Sequence, residues 1–171
     1  MTDRATLAWN VAAGVVDPEL ADLTIADLGI LRGTDERDGT VVVTVTPTFS
    51  GCPAMTEMRR DLLRRLGDAG LGPVEIRTTL SPPWTSDWIT AEGRAKLAAA
   101  GISPPARSSE RAPTPASEPV PVTLVATSRR VACPRCGSGD TAELSHFGAT
   151  ACRSLYRCRA CREPFEHMRE I

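Results

Sequence analysis

Two cysteine pairs near the C-terminus constrain this chain more than any other feature: Cys133-Pro-Arg-Cys136-Gly and Cys158-Arg-Ala-Cys161, separated by 21 residues. Two residues between thiolates bend the backbone into a knuckle whose sulfurs point at one ion, and Gly137 relieves the bend after the first knuckle. Two knuckles complete a tetrahedral four-sulfur site. The spacing exceeds the usual window by one residue, a difference that a ribbon hairpin loop absorbs. The last fifty residues hold few large apolar side chains and need a staple of this kind. Structural zinc contributes on the order of 10 kcal/mol to folding such a domain. Cys133, Cys136, Cys158 and Cys161 are therefore the expected metal ligands, with a mainly architectural role. Four thiolates suit zinc, iron or an iron–sulfur cluster, and spacing does not separate these. His146 and His167 are not needed in a site that four cysteines fill. Cys152, six residues before Cys158, is either a buried small residue or an additional ligand or reactive thiol.

Reading the cysteines as ligands rather than disulfides rests on a reducing compartment. The start, Met1-Thr2-Asp3-Arg4, has no basic segment leading into an apolar stretch, and no apolar run approaches the ~18 residues of a membrane span. A cytoplasmic protein that does not engage membranes is expected.

Residues 103–121 hold six of the chain's fourteen prolines and no large aliphatic beyond Val120, so they read as a semi-extended linker. The expected organisation is an α+β domain over 1–102, a Pro/Ser-rich linker over 103–121 and a four-cysteine β ribbon over 122–171. The first domain carries net −4 and the ribbon net +3, while the whole chain is near neutral at −1. That balance disfavours a dedicated nucleic-acid binder, although Arg129, Arg130, Arg135, Arg153, Arg157, Arg159 and Arg162 keep a nucleic-acid-binding ribbon as an alternative.

Within the first domain, Leu7, Val11 and Val15 recur at helical spacing up to Asp17-Pro18. Ile30–Thr34 and Val41–Thr46 flank an Asp-Gly turn and predict a hairpin. Met55, Met58, Leu62 and Leu66 form the stripe of a second helix, followed by a strand over Val74–Leu80 and a short helix over Thr90–Ala100. One sheet packed by helices on one face is expected. Pro53 suits the first helical position, which leaves Cys52 as the N-cap, where the helix dipole favours thiolate. Asp17 and Glu19, expected at the end of the first helix, are candidate companions, and Thr48 and Ser50 flank the thiol. The alternative is a small buried Cys52 and a turn-capping Asp17.

These pieces together resemble one family. Asp17-Pro-Glu-Leu, Thr24–Ile30, Thr46-Pro-Thr-Phe-Ser-Gly-Cys-Pro53, Leu80-Ser-Pro-Pro-Trp-Thr-Ser-Asp-Trp88 and Gly101-Ile-Ser-Pro-Pro105 look like the PaaD family, which serves the phenylacetyl-CoA 1,2-epoxidase system. Phe147–Cys152, Leu155–Cys158 and Cys161–Phe165 continue the match through the ribbon. The resemblance implies an iron–sulfur-assembly-type fold for the first domain, with Cys52, Asp17 and Glu19 on its functional surface as a transient iron or cluster site. It further implies a non-catalytic accessory subunit in aerobic phenylacetate degradation. That subunit would assist maturation of an iron–sulfur or di-iron centre, with the oxygenase or the flavin- and iron–sulfur-containing reductase as clients. A purely structural subunit is the other reading. Relatives often carry a cysteine near the C-terminus, where this chain has Met168-Arg-Glu-Ile171. The residues argue independently against an enzyme. A di-iron centre of the bundle type needs Glu-x-x-His, whereas Glu166 and His167 are adjacent, and no dinucleotide fingerprint or phosphate loop is present.

Overall fold

A computed structural model describes residues 3–107 and 131–169. The greater part of the expected linker, including Pro113 and Pro115, lies outside the described residues, as do Arg129, Arg130 and the last two residues. The first helix, α1 (Arg4–Ala13), ends at Gly14. Its buried face is made by Ala8 and Ala12, one turn apart, while Leu7 is 41% exposed and Val11 only half-buried. The stripe expected from Leu7 and Val11 is therefore displaced. Two alanines let the helix lie close against the sheet, and Val15 joins the core from beyond the helix end.

Asp17 and Glu19 do not end that helix. They belong to a tight hairpin between β1 (Val16–Asp17) and β2 (Leu20–Thr24), where Asp17 pairs with Leu20 and the chain reverses through Pro18-Glu19. After a turn comes the main hairpin, β3 (Leu31–Arg37) and β4 (Thr40–Val45), closed by Asp38 at φ 49° and Gly39 at φ 77°. Two consecutive left-handed residues are the signature of the type I′ turn that an Asp-Gly pair predicts. The helix α2 (Ala54–Asp68) then crosses to β5 (Val74–Thr78), which pairs with β4 in parallel from Val41↔Val74 to Val45↔Thr78. Val41, Val43 and Val45 point into the core with Ile76. Ala8 and Ala12 from α1, and Met58, Leu62 and Leu66 from α2, cover that face.

The helix α3 (Ala91–Ala99) is capped by Thr90, whose hydroxyl accepts from the Gly93 amide at 2.9 Å. It packs on the segment after β2: Asp27 receives an ion pair from Lys96 at 2.8 Å, and a Cβ at Gly93 would stand 2.7 Å from the Asp27 carbonyl oxygen. Trp84 is buried and its indole N–H donates to the Leu28 carbonyl at 2.9 Å, while Trp88 packs against the core beneath the Arg32 guanidinium, 3.4 Å from its ring centre. Both tryptophans thus hold the loop before α3 against the core.

The next strand, β6 (Ile102–Ser103), overlaps the start of the expected linker. It is the edge of a four-stranded sheet whose other members are ribbon strands: β7 (Thr141–Ser145), β8 (Arg153–Cys158) and β9 (Pro164–Met168), in the order β6-β9-β8-β7. Ile102 pairs with Glu166 and Ser103 with His167, in parallel. Met168, at the end of β9, is 2% exposed and belongs to the core of the α+β unit. The molecule is α+β, with its ribbon joined edge to edge to the first unit. Among the described residues no helix is long and apolar enough to cross a membrane.

Candidate metal centre and the Cys52 acidic turn

The four ribbon cysteines converge. Cys133 Sγ lies 3.8 Å from Cys161 Sγ, Cys136 Sγ lies 3.6 Å from Cys158 Sγ, and all four sulfurs fall within 4.8 Å of one another. A tetrahedral ion with metal–sulfur bonds of about 2.3 Å needs sulfur–sulfur edges of about 3.8 Å, so the donor set fits one four-coordinate ion. In the first knuckle the Gly137 amide donates to the Cys133 carbonyl at 2.9 Å with Gly137 at φ 72°, the left-handed position that needs no Cβ. The second knuckle has Arg162 at the equivalent point, at φ 66°. The Cys161 amide points at Cys158 Sγ at 3.5 Å, and this donor above all draws the Cys158 thiol down to about 7. The Ser138 amide favours thiolate at Cys136. The adjoining Cys158 thiol and burial outweigh it and push Cys136 up to about 12. Within that pair, the sulfur of Cys158 is held closer to thiolate than that of Cys136.

Neither histidine takes part. His146 pairs with Glu143 at 3.1 Å on the surface, and His167 is buried with Nδ1 3.1 Å from the Ser103 carbonyl oxygen. Several ribbon arginines have partners within the molecule: Arg153 contacts Glu166 at 2.6 Å, Arg135 Glu163 at 3.6 Å and Arg159 Asp140 at 3.6 Å. Arg157, Arg159 and Arg162 border a groove of about 410 Å³ beside Cys158. A divalent ion held by four thiolates would carry a net double negative charge, and these guanidinium groups would lie beside it.

Cys52 lies elsewhere, in the loop between β4 and α2. The helix begins at Ala54 with Pro53 as its cap residue, so Cys52 is not the N-cap expected but stands one position before it. It is half-buried and packs against the core. Burial pushes its thiol up. The Ala54 and Met55 amides act in the opposite direction, but the Asp17 and Glu19 carboxylates add to the rise. The thiolate expected from the helix dipole is thus not the resting form, because desolvation and two carboxylates outweigh the helix N-terminus. The loop ahead of Cys52, from Thr46 to Ser50, forms with Leu80, Pro83 and Trp84 a groove of about 200 Å³.

The Asp17 and Glu19 carboxylates that act on Cys52 belong to the β1–β2 hairpin. Asp17 is only 7% exposed, and one of its carboxylate oxygens accepts the Glu19 amide at 2.7 Å. Burial raises its pKa despite that bond, and Arg153 from the ribbon is near enough to lower it. Sequence reasoning gives Arg153 no such role. It binds Thr150, Glu166 and the Glu19 carbonyl at 2.9, 2.6 and 3.3 Å, tying the ribbon to the acidic turn. Alternation within β8 assigns it to a face, but only the β6–β9 pairing identifies what that face meets.

Comparison with known proteins fits both halves. Residues 9–77 match the iron-sulfur cluster assembly protein family, and residues 117–169 match the PaaD zinc beta ribbon domain. A crystal structure of a domain of unknown function, DUF59, from Bacillus anthracis superposes with a TM-score of 0.51 at 23% identity, covering 55% of this chain and 91% of its own, which shows the fold of the α+β unit. An Fe-S protein maturation auxiliary factor of Porphyromonas gingivalis is 33% identical over 85 residues, 48% of this chain and 80% of its own. An Escherichia coli protein provisionally named as the D component of 1,2-phenylacetyl-CoA epoxidase is 39% identical over 163 residues, 95% of this chain and 91% of its own. That similarity runs through both units, and the chain belongs to the PaaD family of 1,2-phenylacetyl-CoA epoxidase components.

Proposed function

We propose that this protein is a non-catalytic accessory subunit of the phenylacetyl-CoA 1,2-epoxidase system in the cytoplasm. Its task is to help an iron–sulfur or di-iron centre mature in the oxygenase or the reductase. The observation that carries this reading is Cys52 set against the buried Asp17–Glu19 turn, within a chain 39% identical over 163 residues to a PaaD-type epoxidase component. A thiol beside carboxylates suits borderline metals such as ferrous iron. Iron or a cluster is cargo here, held and handed on. Because burial and the two carboxylates keep Cys52 protonated at rest, cargo binding releases its proton, and cargo loss restores the neutral thiol.

The ribbon plays a different part. Sulfur edges of 3.8 and 3.6 Å suit one mononuclear ion, and all four sulfurs within 4.8 Å leave little room for the irons and sulfides of a cluster. Cys133, Cys136, Cys158 and Cys161 hold zinc as an architectural ion. Purified protein is expected to contain one zinc per chain without acid-labile sulfide, and Cys133→Ser to lose it.

The decisive experiment co-produces Cys52→Ser with the oxygenase and reductase subunits and measures iron and sulfide in the purified clients. The variant is expected to keep its fold and its zinc while the clients emerge metal-poor. Fully loaded clients would overturn the maturation role and leave a structural subunit.

A further inference from the structure

The ribbon meets the α+β unit along the β6–β9 pairing and, on the other side of β9, through Arg153. Arg153 opens β8 and pairs with Met168, the residue buried in the α+β core. The preceding Cys152 is buried at this end of the strand, outside the four-cysteine group, with its Sγ 3.0 Å from Thr150 Oγ1. Ribbon groups fix Arg153 in place. Its amide donates to the Thr150 carbonyl at 3.1 Å, and its carbonyl accepts the Gly148 amide at 2.8 Å. In the side chain, Nε donates to Thr150 Oγ1 at 2.9 Å and Nη1 to Glu166 Oε2 at 2.6 Å. The second Glu166 oxygen accepts the Ala149 amide at 3.0 Å, so the anion that orients the fork is itself held. Only 11% of the Arg153 side chain is exposed. A guanidinium is planar and rigid, so fixing Nε and Nη1 also fixes the direction of Nη2. That nitrogen reaches out of the ribbon to the Glu19 carbonyl at 3.3 Å.

The carbonyl it grips belongs to the peptide group between Glu19 and Leu20, and the N–H of that same group acts on the Asp17 carboxylate. One peptide earlier, the Glu19 amide donates to Asp17 Oδ1 at 2.7 Å. Because a peptide group is planar, holding its oxygen constrains the direction of its N–H. Arg153 thus acts on the donors that set the buried Asp17 carboxylate. The turn has little backbone support of its own. β1 is two residues long, and its register with β2 shifts between Val16 and Asp17. An isolated two-stranded hairpin is marginal, so a grip from outside decides how firmly this one is held.

We propose that Arg153 is a positioning residue for the Asp17–Glu19 turn: through this guanidinium the ribbon orients the Glu19–Leu20 peptide group and, with it, the Asp17 carboxylate. The inference rests on the reading of that turn as part of the cargo site, and it gives the ribbon a task there besides its own metal. Charge alone does not perform it. A lysine at position 153 would keep a cation for Glu166 but has no second arm for the Glu19 carbonyl. The positioning role therefore needs the fork, whereas a merely structural ion pair needs only the charge.

The test compares Arg153→Lys and Arg153→Gln with wild type in the full, zinc-loaded chain. It reads amide exchange by NMR and the metal content of co-produced oxygenase and reductase. Both variants are expected to exchange the Glu19 and Leu20 amides about 10-fold faster or more. Retained ribbon zinc and amide protection at β4 and β5 verify the fold. The clients of both variants are expected to emerge metal-poor, as with Cys52→Ser. If Arg153→Lys exchanges these amides like wild type, Arg153 is an ion-pair partner only and the inference is wrong. If the turn loosens but the clients are fully loaded, while those of Cys52→Ser are metal-poor, the inference is wrong and the cargo reading stands. If the clients of Cys52→Ser are fully loaded as well, both fail. Should the variants not fold, NMR of the wild-type guanidinium decides. Slowly rotating Arg153 Nη protons with a nuclear Overhauser contact to Glu19 or Leu20 uphold the inference, and a freely rotating guanidinium overturns it.

Discussion

The two units of this chain reach a stable fold by different means. Among the described residues, the core of the α+β unit is a buried cluster of 23, of which 22 are its own and Met168 comes from the ribbon. Among the described residues the ribbon's own cluster has five members, Val131, Cys133, Tyr156, Cys158 and Phe165, and two of those belong to the four-cysteine group. Besides Val131, its apolar members are Tyr156 and Phe165, stacked with ring centres 5.8 Å apart. Burial is the larger resource in the first unit, and a metal staple is expected to matter more in the second. Thiol chemistry divides along the same line. The four ribbon sulfurs converge within 4.8 Å of one another, whereas Cys52 lies half-buried against the core of the other unit.

Metal removal should break this comparison most forcefully. Chelation withdraws on the order of 10 kcal/mol from the ribbon. Amides of β7 and of the Cys158 end of β8 are expected to lose hydrogen-exchange protection, while β4 and β5 keep theirs. If β4 and β5 lose protection in the same step, the two cores form one cooperative unit and the contrast is false.

A smaller loss should appear at the seam. Met168 is fully packed among α+β residues, so Met168→Ala should cost about 2–5 kcal/mol in urea unfolding of that unit. The same substitution should leave the zinc content of the ribbon unchanged. A cost below about 0.5 kcal/mol would mean that the ribbon merely touches the first unit.

How far these features are legible in sequence follows the range of the interactions involved. The knuckles, the Asp-Gly hairpin and the α2 stripe are local: spacing, turn chemistry and periodicity specify them within a few residues. The buried face of α1 escapes a periodicity argument that weighs large side chains above Ala8 and Ala12, whose small size is what lets the helix approach. The Asp17-Pro18 pair marks a boundary without saying which element lies beyond it, so a hairpin turn at Asp17 and Glu19 reads as a helix end. The protonation of Cys52 depends on carboxylates some 35 residues away in sequence, and the helix N-terminus is the only part of that field visible locally. The β6–β9 pairing joins residues more than sixty positions apart through a strand of two residues, too short for any periodicity.

The smallest expected effect bears on what the acidic turn is for. Burial holds the folded-state pKa of Asp17 above its unfolded value, with the Glu19 and Leu20 amides and Arg153 pulling the other way. A raised pKa means that the folded state prefers the protonated acid. Its favourable contribution is complete below the unfolded pKa of about 3.9 and disappears as pH rises through the folded value. At neutral pH the charged carboxylate therefore works against the fold. The Asp17→Asn substitution keeps a carbonyl oxygen to accept the Glu19 amide and leaves no charge to desolvate. The variant should accordingly match or exceed wild type by about 1 kcal/mol or less at pH 7, with the gap closing toward pH 3 in urea titrations. Clients matured with the same variant should nevertheless be poor in metal. A residue whose charge costs stability and whose loss costs metal transfer is held for function. A destabilised variant at neutral pH would instead make Asp17 a structural cap, and the α+β unit would then resemble the ribbon in spending its polar chemistry on its own fold.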